Sequence, residues 1–283
     1  MKMHLHVMAK MKISMVIAYA KARFEAVARV EPEPAVRLLK ELGFDGVEFS
    51  VLEPEEVLEL SKIANQYGLE VPAVGTGLNY LHYGLSLTAP DGSVRVKARE
   101  KIEKIIKAAS RGNVRGVIIG LMRGKADEWE SLDKPWSLLL EEMRIIAERA
   151  LNENVLVYLE PLNRYESRLI NRVEEGVRFL EELGAENVYL LLDTFHMNIE
   201  ERSIEESIRF AGGRIGHFHV ADSNRLAPGM GHLDFVRVLH ALKDTGYTGF
   251  ISAEIQAKPD LEASARMTLS TLRTALEVIG EAG

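Results

Sequence analysis

Four side chains able to hold a hard metal ion or carry a proton stand at the ends of four short apolar runs. Runs 155–160, 188–193, 215–219 and 250–254 terminate in Glu160, Asp193, His219 and Glu254. Such runs are strand-like, and a carboxylate buried at a strand end costs several kcal/mol unless it is paired or coordinated. One such acid alone is often a helix cap or an ion-pair partner. Three carboxylates and an imidazole in register on successive strands would repel one another unless a divalent cation joined them. The set is hard and oxygen-rich, which selects Mn²⁺ foremost, with Mg²⁺ or Co²⁺ as alternatives. His217 lies on the same strand face one layer deeper, and is expected to fill or buttress the interior rather than to bind metal.

These residues need a scaffold that brings strand ends to one place. From position 12 onward, short β-branched runs near 12–18, 46–51, 70–75, 114–121, 155–160, 188–193, 215–220 and 249–255 alternate with segments of helical period. The segments 34–43 and 173–184 carry apolar residues at three- and four-residue spacing and stop at Gly43 and Gly184. Eight strand–helix units without a composition break predict an α/β fold, a (β/α)8 TIM barrel, as one domain over 12–283 behind an N-terminal extension at 1–11. In that fold, function sits at the C-terminal strand ends.

Several classes are disfavoured by what the chain contains. It has 283 residues, no cysteine and a formal charge of −7, so disulfides, thiolate metal sites and a cysteine nucleophile are excluded, and nucleic acid is a poor partner. No P-loop, G-x-S-x-G elbow or H-E-x-x-H helix occurs. Ala18-Tyr19-Ala20 mimics a signal-peptidase site, but the preceding apolar stretch is better used as the first strand. No run approaches a membrane span. The reading is therefore a cytoplasmic enzyme acting on a small molecule.

Three longer motifs add a resemblance. Glu160-Pro-Leu-Asn-Arg-Tyr-Glu166, Asp193-Thr-Phe-His-Met-Asn-Ile-Glu-Glu201 and His217-Phe-His-Val-Ala-Asp-Ser-Asn-Arg225 resemble the ketose 3-epimerases of the xylose isomerase-like barrel superfamily. The spacing of the four candidate ligands is also similar to that family's. The resemblance implies that Glu160, Asp193, His219 and Glu254 are the metal ligands and that Glu160 and Glu254 are the catalytic pair. It places substrate hydroxyls on His196 and Arg225, with Glu166 near the reacting end, and it implies a homo-oligomer, dimer or tetramer. Further segments, 75–88, 118–124 and 222–229, look like the 5-keto-L-gluconate epimerase type. That likeness makes a keto-sugar acid a candidate substrate and Arg123 a candidate cation for its carboxylate. Ala20 stands where free-ketose members often carry an aromatic residue.

The implied chemistry is inversion of the carbinol carbon next to a ketone through a cis-enediolate, with one glutamate as base and the other as acid. An aldose–ketose isomerase would use the same groups. A keto-inositol dehydratase and a non-catalytic sugar-binding barrel are further alternatives, whereas an endonuclease IV-like trinuclear zinc site lacks the histidines it requires at 74–77 and 119–122. Tyr19, Tyr80, His82, Tyr83 and Trp129 are candidate sugar platforms or packed aromatics.

Overall fold

In the computed structural model, which describes residues 10–19, 21–25 and 27–280, every strand-like run joins one parallel sheet. The extension expected at 1–11 falls almost wholly outside the described residues, as does Ala20. The strands are β1 (Lys12–Tyr19), β2 (Ala28–Val30), β3 (Gly46–Ser50), β4 (Ala73–Gly75), β5 (Gly116–Ile119), β6 (Leu156–Leu159), β7 (Val188–Asp193), β8 (Ile215–Val220) and β9 (Phe250–Ala253). Pairing runs β1-β3-β4-β5-β6-β7-β8-β9, and β9 returns to β1 through Lys12↔Phe250 to Met15↔Ala253. Eight strands therefore close the expected barrel. β2 was not foreseen: it lies outside the ring against β1, Ile17↔Ala28 to Tyr19↔Val30, and three residues are too few to display a strand period.

The helices that cover the ring follow the local chemistry. α1 (Pro32–Leu42) begins with proline, whose missing N–H costs nothing in a first turn, and ends at Gly43 with φ 95°. Its Ala35, Val36 and Leu39 face the sheet, and full burial of such an aliphatic side chain stabilises by about 1.5–3 kcal/mol. α2 (Pro54–Gln66), α3 (Leu78–Tyr83), α4 (Gly92–Arg111), α5 (Asp133–Asn152) and α6 (Val173–Leu183) continue the ring, and α6 stops at Gly184 with φ 68°. α7 (Thr194–Glu200), α8 (Ile204–Ala211), α9 (Phe235–Asp244) and α10 (Leu261–Val278) complete it. None of the described helices is long and apolar enough to cross a membrane.

Inside the barrel the packing turns polar toward the C-terminal end. Tyr158 of β6 stacks on His217 of β8, with ring centroids 5.3 Å apart. A Cβ on Gly116 of β5 would come within 2.3 Å of that tyrosine ring, so glycine there makes room for it. Above this layer, Asp193 is the last residue of β7 and pairs in register with His219 of β8, while Glu160 and Glu254 follow β6 and β9 directly.

Candidate active site

A narrow cleft opens at the C-terminal strand ends, lined among others by Phe24, Ser50, Leu121, Leu162, Glu166 and Arg225. Glu160, Asp193, His219 and Glu254 converge at its floor, each offering a ligand-type atom within 4.8 Å of the others. Local geometry aims them. Asp193 is the N-cap of α7, its Oδ1 accepting from Phe195 N at 2.8 Å, which turns Oδ2 toward the site. Glu160 is seated by its neighbour: a Cβ on Gly120 would lie 2.6 Å from Glu160 Oε2, so only glycine leaves the carboxylate its place.

Electrostatics follow from the convergence. Burial, reinforced by Glu254 and Asp193, pushes the Glu160 carboxyl well above the usual carboxylate range. Burial acts to raise Asp193 too, but Arg225, His196 and His219 outweigh it and hold that carboxyl low. Arg225 donates to Asp193 Oδ2 through Nη1 and to Glu254 Oε2 through Nη2. A single guanidinium leaves the carboxylates of this set in surplus, as the raised Glu160 carboxyl reflects, and a divalent ion would neutralise that surplus. Among the buried side-chain polar atoms without a hydrogen-bond partner, Glu160 Oε1 and His219 Nδ1 belong to the converging set. The donor set and these two orphaned atoms fit a hard divalent cation.

A group not foreseen from the sequence also lines the cleft. Glu48 of β3, 1% exposed, accepts from His217 Nε2 at 2.7 Å and His219 Nε2 at 2.9 Å. Burial opposes its ionisation, yet the two histidines hold it far below the usual carboxylate range. The same contact, assisted by Glu254, raises His219 well above an ordinary histidine despite burial. With Nε2 engaged by Glu48, His219 presents Nδ1 to the site. His217, expected to fill or buttress the interior, has its Nε2 engaged by Glu48 and its ring stacked on Tyr158. Glu48 lies inside the run 46–51, read only as a strand, and one acid inside a strand gives no sequence signal of its partners.

The other anticipated residues divide. His196 and Glu166 line the cleft, and His196 Nε2 stands 3.7 Å from Glu160 Oε1. Burial lowers the His196 pKa, favouring the neutral ring. Arg225 lines the cleft with φ 63°, held by the loop after β8. There Asp222 accepts from the backbone N–H groups of Ser223, Gly229 and Leu233. Arg123 is not the free cation expected. It is fully buried, donating to the backbone carbonyls of Glu160 and Ile170, and burial lowers its pKa to about 10. It clamps the segment after β6 instead. The aromatic candidates Tyr19, Tyr80, His82, Tyr83 and Trp129 are absent from the described lining, where Phe24 is the aromatic residue. Trp129 donates to Thr88 O, and the Tyr83 hydroxyl to Glu53.

Comparison with known proteins places this arrangement. A family model described as xylose isomerase-like TIM barrel matches residues 36–275. The chain belongs to the xylose isomerase-like TIM-barrel family. The D-psicose 3-epimerase of Ruminiclostridium cellulolyticum is 33% identical over 253 residues, spanning 86% of this chain and 83% of that enzyme. The 3-dehydro-D-guloside 4-epimerase of Escherichia coli is 28% identical over 254 residues, 84% of this chain and 92% of that one. A solved structure of L-ribulose 3-epimerase superposes with a TM-score of 0.84 at 28% identity, covering 95% of this chain and 96% of its own. The resemblance read from the motifs is borne out, and with epimerases as its relatives this member of the family is an isomerase.

Proposed function

We propose that the chain is a divalent-metal-dependent epimerase that inverts the carbinol carbon next to the ketone of a ketose or keto-sugar acid. The observation that carries the reading is a pair of glutamates, Glu160 and Glu254, entering one cleft from strands three places apart around the ring, with Asp193 and His219 between them. The relatives' names, a 3-epimerase of D-psicose and a 4-epimerase of 3-dehydro-D-guloside, support the class and leave the inverted carbon to be measured.

A divalent cation held by Glu160, Asp193, His219 and Glu254, Mn²⁺ in our reading, supplies positive charge against the oxygens on which negative charge develops. The protein's own groups do the rest. The carbon between a ketone and a hydroxyl is a weak acid, and one glutamate removes its proton while the other returns a proton to the opposite face. The two roles exchange in the reverse direction. Glu160 Oε1, buried and without a partner, is free to take up a proton. Arg225 and the His196 imidazole line the cleft, and in this reading they donate to the oxygens on which the charge of the cis-enediolate develops. Apolar Phe24, Leu121 and Leu162 limit water there.

Substrate charge is constrained by what the cleft lacks. Its described lining holds one guanidinium, Arg225, already engaged with Asp193 and Glu254, and Arg123 is committed to backbone carbonyls. A substrate carboxylate therefore points outward, toward Lys21 and Arg23 in an adjoining hollow that shares Leu78 with the cleft.

The test is proton NMR in D₂O of the metal-loaded protein with D-tagatose, D-psicose, L-ribulose and a 5-ketohexonate. Deuterium beside the ketone together with an inverted product supports the reading, and an aldose product replaces epimerase with isomerase. Glu160→Gln and Glu254→Gln should each abolish exchange with the circular dichroism spectrum unchanged, and wild-type exchange in either variant refutes the pair. A monomer by light scattering would remove the homo-oligomer that the resemblance implies.

A further inference from the structure

The loop after β6 holds a side chain whose connections reach both His196 and Glu166. Asn163 is 2% exposed. Its backbone N–H faces His196 Nδ1 at 3.4 Å and its Nδ2 lies 2.8 Å from the same nitrogen. Nδ2 also donates to Glu166 Oε1 at 2.9 Å, while Oδ1 accepts from Tyr165 N at 3.0 Å.

These contacts leave one assignment of protons. A backbone N–H only donates, so the nitrogen it faces carries a lone pair. Reversing the amide would set Oδ1 against the Glu166 carboxylate and the NH₂ group against Tyr165 N–H, replacing two attractions with two repulsions. The Asn163 amide therefore donates both hydrogens, one to His196 Nδ1 and one to Glu166. With Nδ1 occupied as an acceptor, the neutral ring bears its proton on Nε2. That atom points into the cleft, 3.7 Å from Glu160 Oε1 and 4.0 Å from Asp193 Oδ2.

We infer that Asn163 is a positioning residue that fixes His196 as an Nε2–H donor to a substrate oxygen while anchoring Glu166 as the acceptor beside it. The inference rests on the epimerase reading for the substrate's part in it. One amide thus sets a donor and an acceptor at a defined separation on one wall of the cleft. That pairing can read adjacent oxygens of a sugar, one taking a hydrogen bond and the next giving one.

The experiment is long-range ¹H–¹⁵N correlation on the full-length, ¹⁵N-histidine-labelled protein, with His196→Gln used to assign the His196 signals among the eight histidines. The wild type should show an unprotonated Nδ1 and a protonated Nε2. Asn163→Asp, whose side chain offers only acceptors beside the backbone N–H that remains, should shift the tautomer population toward Nδ1–H. It should also lower kcat by about 100-fold, the scale for losing one donor to a developing oxyanion, with KM changed only a few-fold. A wild-type ring protonated on Nδ1, or an Asn163→Asp variant with unchanged tautomer and kcat, overturns the inference. Should Asn163→Asp fail to fold, the wild-type spectrum alone decides the tautomer. A wild type with the Nε2–H tautomer that exchanges no substrate deuterium removes the epimerase reading and the substrate role, while the Asn163–His196 geometry stands.

Discussion

Replacing Glu48 by glutamine changes one acceptor group in the lining of the cleft and should be felt as a loss of metal affinity. The carboxylate meets each imidazole with its own oxygen, at 2.7 Å to His217 Nε2 and 2.9 Å to His219 Nε2. An amide has a single acceptor oxygen. One imidazole then faces an NH₂ group and must present a lone pair there, moving its proton to Nδ1. If that ring is His219, the atom proposed to face the cation is blocked. If it is His217, His219 still loses a charged acceptor for a neutral one, and its Nδ1 becomes a weaker donor of electrons. Changes to such outer partners lower metal affinity about 10–100-fold, which at about 1.4 kcal/mol per tenfold is about 1.4–2.8 kcal/mol. The assay is titration of metal-free protein with Mn²⁺ against a fluorescent chelator, with circular dichroism as the control for folding. A folded Glu48→Gln protein that binds Mn²⁺ within twofold of wild type would refute the reasoning.

Three further outcomes are expected. Gly120→Ala puts a methyl group 2.6 Å from Glu160 Oε2. The carboxylate must move by about an ångström, and turnover should fall about 100-fold; wild-type turnover in steady-state kinetics would contradict this. Arg225→Ala strips Asp193 and Glu254 of their shared guanidinium, so the metal-free protein should lose about 3–5 kcal/mol in urea unfolding. Added Mn²⁺ should restore more stability to this variant than to wild type. At Asp222, burial acts to raise the pKa, but the N–H groups of Leu233, Ser223, Gly231 and Gly229 outweigh it and lower it from 3.8. A lowered carboxyl contributes stability above pH 3.8 that is lost as pH falls through its folded value. Asp222→Asn should therefore cost about 1–3 kcal/mol at neutral pH and show a shallower acid-side decline. A decline as steep as wild type in urea unfolding between neutral and acid pH would count against it.

The outline was legible because it is written in local periods and residue types. Runs such as 188–193 and 215–220 appear as strands in the positions read, and α6 begins and ends where its apolar spacing and Gly184 indicate. Glu160, Asp193, His219 and Glu254 could be picked out since each ends an apolar run, and in a parallel barrel such ends meet. β2 escaped notice because three residues show no period. Arg123 was misread because an arginine at a strand end reads the same whether it faces a ligand or two backbone carbonyls.

What the chain determines by itself is which side chains reach the mouth of the ring, because strand alternation and helix spacing are properties of neighbours in sequence. What those side chains then bond to is decided by closure. Glu48 meets His217 and His219 across 169 and 171 residues, and Arg225 bridges Asp193 and Glu254 only because β7, β8 and β9 lie side by side. Those pairings set charge, tautomer and free valence in the cleft. They depend on contacts between side chains of different strands that no one-dimensional period encodes.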